Sequence, residues 1–240
     1  MLIVCKLLIK KMRTIGAKVL LCARREKASC DRERFEELAR FIENALQTER
    51  KRRESDAAKK LSSVNDENEA SLLAEFYAED IFQVETDFPR LQRYALFASL
   101  MSMVEANIIG LCRTARRIFS ISKDFKDNTP GVIARGVEYL ENQVGIDTSK
   151  CKYYINLSQN LNLIRNCIVH VEGSLKNRKD TDTIKNFIKD ITVLDIDKHE
   201  RIVLNKGFVE NSTQEMHTFF DCLYDALAKK FNTQQIAPVN

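Results

Sequence analysis

The sequence predicts a mainly α-helical protein, and three observations carry that prediction. Only seven glycines and three prolines occur in 240 residues, which leaves little material for tight hairpins or a many-stranded sheet. Leu, Glu, Lys, Arg and Ala, all strong helix formers, recur in long runs. Apolar residues return at three- and four-residue steps through several stretches, the period of one helix face. The 44% hydrophobic and 30% charged fractions are those of a soluble globular chain, either one large domain or one domain with an appended segment.

Residues 1–62 read as a basic, helical N-terminal extension and residues 66–235 as the main helical domain. The first 60 residues hold 17 Lys and Arg against 9 Asp and Glu, with "RREK" and "ERKRRES" as the densest clusters. Residues 61–100 reverse the balance, with 2 basic and 8 acidic residues. The basic third suits an anionic partner such as RNA, although a solvated helix face accounts for the same clusters. "MLIVCKLLIKKMRTIGAKVLLC" is no secretory signal by pattern, because Lys6 interrupts its apolar run. It reads either as a basic amphipathic helix for a membrane surface or as an extension upstream of a natural start at Met12. No stretch approaches the roughly 20 apolar residues that span a bilayer, so no membrane span is expected.

"FEELARFIENAL" is an amphipathic helix, "SSVNDENEAS" a capped linker, and "LLAEFYAEDIFQVE" the next helix. Pro89 then suits the first turn of a long helix reaching Phe119. Along it Tyr94, Phe97, Met101, Val104, Ile108 and Leu111 mark one core face, and apolar residues opposite make the helix central and heavily buried. Thr129 and Pro130 open a shorter helix that Gly145 closes. Another runs from near Lys150 to Gly173, a natural C′ residue. After a polar loop and the short helix "TIKNFIKD", residues 191–204 read as a β-hairpin around a charged turn. Ser212-x-x-Glu215 is a capping box for the last helix. The seven cysteines are odd in number, form no Cys-x-x-Cys pair and sit among apolar residues. They read as reduced, buried thiols of a cytoplasmic protein, and no structural zinc or other metal site is expected.

The chemistry concentrates in "LIRNCIVHVEG", residues 163–173. On a helical wheel Leu157, Leu161, Ile164, Ile168 and Val171 form one core arc, while Gln159, Asn162, Asn166 and His170 lie opposite. Leu163 and Val169 share that opposite side, so it resembles a partner surface more than open solvent. His170 lies near the C-terminal end of its helix, where the dipole favours a cation. Arg165 sits at the flank, with a stem long enough to swing toward His170.

Arg165-Asn166-x-x-x-His170 resembles the Arg-x4–6-His motif of the HEPN superfamily, in which a polar residue commonly follows the arginine. The preceding long apolar helix, the helical context, the hairpin and the closing helix are similar to that superfamily over residues 88–231, and in part from about 66. The resemblance implies a HEPN-like helical bundle acting as a metal-independent endoribonuclease without cofactor, often a toxin or antiphage effector. It also implies a homodimer whose paired motif helices line one cleft, with RNA as substrate and an antitoxin or defence-system protein as a further partner. HEPN toxins silenced by nucleotide transfer carry a tyrosine two residues past the histidine. Val171 and Glu172 come after His170 here, which puts that control in doubt.

The residue chemistry supports the same reaction. RNA supplies its own nucleophile, the 2′-OH, so cleavage needs a base for that proton and an acid for the leaving 5′-oxygen; imidazole serves either step. A guanidinium grips the scissile phosphate with two prongs and offsets its developing charge. Asn166 would orient the imidazole or donate to a phosphate oxygen. Glu105, the one charged residue between Arg93 and Arg113, would pair with Arg165 or orient His170, unless it serves a local partner. Lys176, Arg178 and Lys179 would contact RNA backbone, unless they are solvated loop charges. His199 and His217 sit in no recognisable constellation. The alternative is a catalytically silent HEPN-type dimer that binds RNA or protein, and a purely structural helical dimer is the third reading.

Overall fold

The computed structural model describes residues 2–126 and 130–236, with side chains from 15 to 126 and 130 to 234. Thr129 and the side chains around Lys6 and Met12 therefore lie outside the described residues. The chain is mainly α. Its helices are α1 (Leu2–Leu61), α2 (Glu67–Phe82), α3 (Phe88–Phe119), α4 (Val132–Tyr139), α5 (Lys152–Val171), α6 (Thr181–Lys189) and α7 (Phe208–Ile236). The one sheet among the described residues is the antiparallel hairpin of β1 (Leu194–Ile196) and β2 (Ile202–Leu204), in the register Leu194 opposite Leu204.

Asp66 caps α2, its carboxylate accepting the Glu69 N–H at 2.8 Å. Between α2 and α3 the chain does not break. A π-turn, Gln83–Asp87, joins them into one helix from Glu67 to Phe119. Pro89 lies in the first turn of α3, as expected, and that turn continues from the π-turn without a break. Its ring and missing N–H would disturb a regular turn before it, and the wider π-turn takes up that disturbance.

The joined helix is long and apolar enough, by length and composition, to cross a membrane, with a mean hydropathy of 1.7 over 18 residues. This corrects the expectation that no stretch approaches such a length. Its burial identifies a core helix nonetheless: Phe97, Met101, Val104, Ile108 and Leu111 have no exposed surface and Tyr94 has 7%.

Two compact units divide the chain, Met1–Arg34 with Leu100–Leu163 and Asn211–Asn240, and Phe35–Ser99 with Ile164–Glu210. Helix α1 contributes to both units, its first part to one and the rest to the other. In the first unit Arg25 bridges Asp221 at 2.8 Å and Asp225 at 3.0 Å, and Arg24 Nε donates to Thr114 Oγ1 at 3.2 Å. Gly136 lets α4 sit against α3, since a Cβ there would fall 2.5 Å from Ile108 Cγ1. A disulfide joins Cys151, just before α5, to Cys222 on α7, with Cα atoms 5.8 Å apart. The reading of all cysteines as reduced thiols is thereby corrected. Pairing across 71 residues arises from the packing of α5 and α7, which no local cysteine spacing reveals.

In the second unit α1 runs antiparallel to α2 and the start of α3. Arg53 pairs with Asp80, Arg50 with Glu85 at 2.6 Å, and Arg93 grips Glu43 with two bonds of 2.6 and 2.9 Å. Arg93 also donates to the Leu204 carbonyl at 3.1 Å, tying α3 to the hairpin. Phe97 meets Phe208 edge to face at 5.0 Å. The capping box read at Ser212 is corrected: α7 begins at Phe208, and Ser212 and Thr213 are buried inside it. Gly207, at φ +89°, makes the reversal before the helix, and burial of Phe208 draws the first turn forward.

Candidate functional site

The site is built on the second half of α5. Leu157, Leu161, Ile164 and Ile168 are 7%, 2%, 0% and 6% exposed, so the wheel assigns the core face correctly. Val171, the last residue of the helix, departs from it at 40% exposure. On the other side Asn162, Leu163 and Asn166 are half-buried, while Val169 and His170 are exposed.

Arg165 is half-buried, and its Nη1 donates to Asn166 Oδ1 at 3.0 Å. Asn166 therefore steadies the arginine rather than the imidazole, and its amide N–H groups stay available as donors. The Arg165 Nε is buried and has no hydrogen-bond partner among the described residues. That N–H lies on the edge of the guanidinium that grips a carboxylate or phosphate side-on. His170, one turn on from Asn166, also makes no hydrogen bond among the described residues.

The turn after His170 is held tightly. Both Glu172, at φ +52°, and Gly173, at φ +78°, are left-handed, so the reversal is shared rather than resting on glycine alone. The Gly173 N–H turns back to the Cys167 carbonyl at 3.1 Å, and Cys167 Sγ donates to the Ser174 carbonyl at 3.2 Å. Ile202 N–H donates to the Gly173 carbonyl at 3.0 Å, and the Tyr94 hydroxyl donates to the carbonyl of the same Ile202. Burial pushes the Tyr94 phenol up to about 12, so it stays a donor throughout the physiological range. Sequence reading placed Tyr94 only in the core; the lone glycine ending an apolar helix was the available signal that something packs there.

A Cβ at Gly173 would collide with the Tyr94 hydroxyl and sit 2.9 Å from its Cζ. Added to the left-handed backbone, this makes Gly173→Ala destabilising by about 2–4 kcal/mol. Urea unfolding monitored by circular dichroism should show a lowered midpoint with an unchanged slope. An unshifted midpoint would mean that the lock does not exist.

Of the loop cations, Lys176 and Lys179 are exposed. Arg178 is held in a fork on Asp180, at 2.9 and 2.7 Å, which raises the arginine and lowers the carboxyl from their usual ranges. Glu105 is half-buried on α3 in the first unit, whereas Arg165, Asn166 and His170 belong to the second. The basic clusters of α1 are largely committed: Arg50, Arg52 and Arg53 pair with Glu49, Glu54, Asp56, Asp80 and Glu85. His217 Nδ1 lies 3.4 Å from Asp221, which Arg25 also holds, a cluster whose signal was the four-residue spacing of His217 and Asp221. No group of three or more His, Cys, Asp or Glu side chains suited to a metal occurs among the described residues.

No protein-family model, no curated protein and no solved structure matches the chain.

Proposed function

We propose that the chain is a metal-independent endoribonuclease of HEPN type, acting as a toxin or antiphage effector. The observation that carries this reading is the pairing, on one helix, of a guanidinium edge without a partner and an exposed imidazole without a partner. Arg165, steadied by Asn166, holds the scissile phosphate. The ribose 2′-oxygen attacks phosphorus as His170 takes its proton, and the bond to the 5′-oxygen breaks as an imidazolium returns a proton to it. The products are a 2′,3′-cyclic phosphate and a free 5′-hydroxyl, with no water consumed. Lys176 and Lys179, which follow the motif in the chain, are assigned as contacts for RNA backbone. The experiment is incubation of purified protein with total RNA in EDTA, with mapping of the new ends. Cyclic phosphate ends support the reading. Cleavage abolished by EDTA overturns the mechanism, and no cleavage of any RNA favours the silent binding module.

The proposal places two motif helices together in a homodimer, with Val169 at the contact. Val169 is 48% exposed, so Val169→Glu leaves the fold intact while putting a carboxylate into the contact. Light scattering at tens of micromolar should then show weakened self-association. Wild-type protein that stays monomeric there removes this contact.

A further inference from the structure

Helix α3 ends at Phe119, and Ser120, at φ +53°, turns the chain out of it. Residues 121–126 then form neither helix nor strand, yet side chains hold them in place. Arg116 pairs with Asp124 at 2.9 Å, the Tyr139 hydroxyl donates to the Lys123 carbonyl at 2.7 Å, and Arg135 Nη1 donates to the Lys126 carbonyl at 2.7 Å. Arg135 Nε also donates to the Pro130 carbonyl at 2.9 Å, which fixes the plane of the guanidinium. That guanidinium lies over the Phe125 ring, 5.9 Å from its centre, and Phe125 meets Tyr139 edge to face at 5.6 Å.

Between this segment and α4 lies a cleft of about 330 Å³, wholly within the first unit. Small-ligand sites run from roughly 300 to 1,000 Å³, so it suits a small ligand. Phe125 and Arg135 give it flat groups of the kind on which nucleobases stack. Lys123 and Lys126 also line it; both are exposed and make no ion pair among the described residues. Glu138, on α4, is likewise exposed and unpaired among the described residues, whereas Asp124 is taken by Arg116. A carboxylate and two lysines thus share one cleft without meeting. The ligand that satisfies both carries an anion at one end, hydrogen-bond donors at the other and a flat ring between them.

We infer that this cleft binds a guanine nucleotide, with its phosphate on Lys123 and Lys126, its base on the plane of Phe125 and Arg135, and its N1 and N2 hydrogens on the Glu138 carboxylate. An ionised carboxylate only accepts hydrogen bonds. Guanine sets two N–H donors side by side on its pairing edge. Adenine, cytosine and uracil each set a lone-pair acceptor beside their donor, which a carboxylate repels. The nucleotide is free or part of an RNA strand, the same chemistry from two sources. Binding here does not rest on the endoribonuclease reading, because Arg165 and His170 belong to the second unit.

The test is isothermal titration calorimetry on the full chain, with guanosine and adenosine 5′-monophosphates as one pair of probes. The trinucleotides ApGpA and ApApA form the second pair, with 2′-O-methyl riboses that supply no nucleophile. The guanine member of a pair should bind about tenfold tighter than the adenine member. Glu138→Gln, at an exposed position, should remove most of that preference, since its amide offers one acceptor group where the carboxylate offers two. Lys123→Glu with Lys126→Glu should weaken guanosine monophosphate by about tenfold and leave guanosine unchanged, a split that a damaged fold would not produce. Tighter binding of the monophosphate than of ApGpA identifies the free nucleotide as the ligand, and the reverse order identifies RNA. The inference is overturned if neither guanine probe binds, if guanine and adenine probes bind equally, if Glu138→Gln leaves the preference intact, or if the lysine reversals do not single out the phosphate.

Discussion

Replacing His170 by alanine should abolish visible RNA cleavage. Positioned general acid–base catalysis contributes about 10²–10⁴-fold, enough to turn a digested lane into an intact one at equal enzyme and time. The side chain is exposed and makes no hydrogen bond among the described residues, so its loss should leave the fold untouched. An unchanged unfolding curve beside the lost activity would assign the effect to chemistry. Arg165→Lys extends the argument. Lysine keeps the charge but lacks the planar fork, so it satisfies neither Asn166 Oδ1 nor a phosphate edge in the same way. Activity should fall by about tenfold or more, since one good charge-assisted hydrogen bond contributes about 1.5–3 kcal/mol. Near-normal activity would mean that a point charge suffices. A His170→Ala protein that still cleaves, with the same products, would remove the histidine from the mechanism.

The second large effect concerns stability. Cys151 and Cys222 close a loop of 71 residues, and the chain-entropy relation for that length gives about 4 kcal/mol. Cys222→Ser, or reduction with excess thiol, should lower the melting temperature by about 10 °C. Thermal scans with and without reductant measure this, and the serine variant should no longer respond to reductant. Equal melting temperatures under both conditions would show that the bond contributes nothing. Disulfides persist in oxidising surroundings, so this bond and the cytoplasmic expectation pull in opposite directions. Titration of free thiols in protein purified without reductant decides which holds.

What was legible in the sequence and what was not divides along the range of the interactions. The core face of α3, from Tyr94 to Leu111, emerges from spacing alone, because burial repeats with the helix. The same holds for α5 up to Ile168 and for the hairpin, whose apolar strands flank a charged turn. The wheel likewise put Val169 and His170 outside. The position of α7 was misread because a capping box is a local signal, and burial of Phe208 outweighs it. Asn166 was read as orienting His170 or donating to a phosphate oxygen; that its Oδ1 accepts from its own neighbour Arg165 is a choice of rotamer that no spacing encodes. Tyr94, the Arg93–Glu43 pair and the disulfide were illegible for a shared reason. Each joins residues between 50 and 108 positions apart, and each rests on which elements meet rather than on what any element is.

The way both compact units draw on α1 also dictates the order of events during synthesis. The first unit needs Met1–Arg34, Leu100–Leu163 and the helix that begins after residue 207. A ribosome delivers the first and the last of those parts at the two ends of its work, at about 5–20 residues per second. The N-terminal segment can meet Leu100–Leu163 earlier, through Arg24 and Thr114, but Arg25 finds Asp221 and Asp225, and Cys151 finds Cys222, only when α7 emerges. The second unit, Phe35–Ser99 with Ile164–Glu210, can settle sooner, since all its residues leave the tunnel before α7 is complete. A chain interrupted before residue 208 carries Arg165 and His170 but cannot finish the unit that holds the other end of their helix.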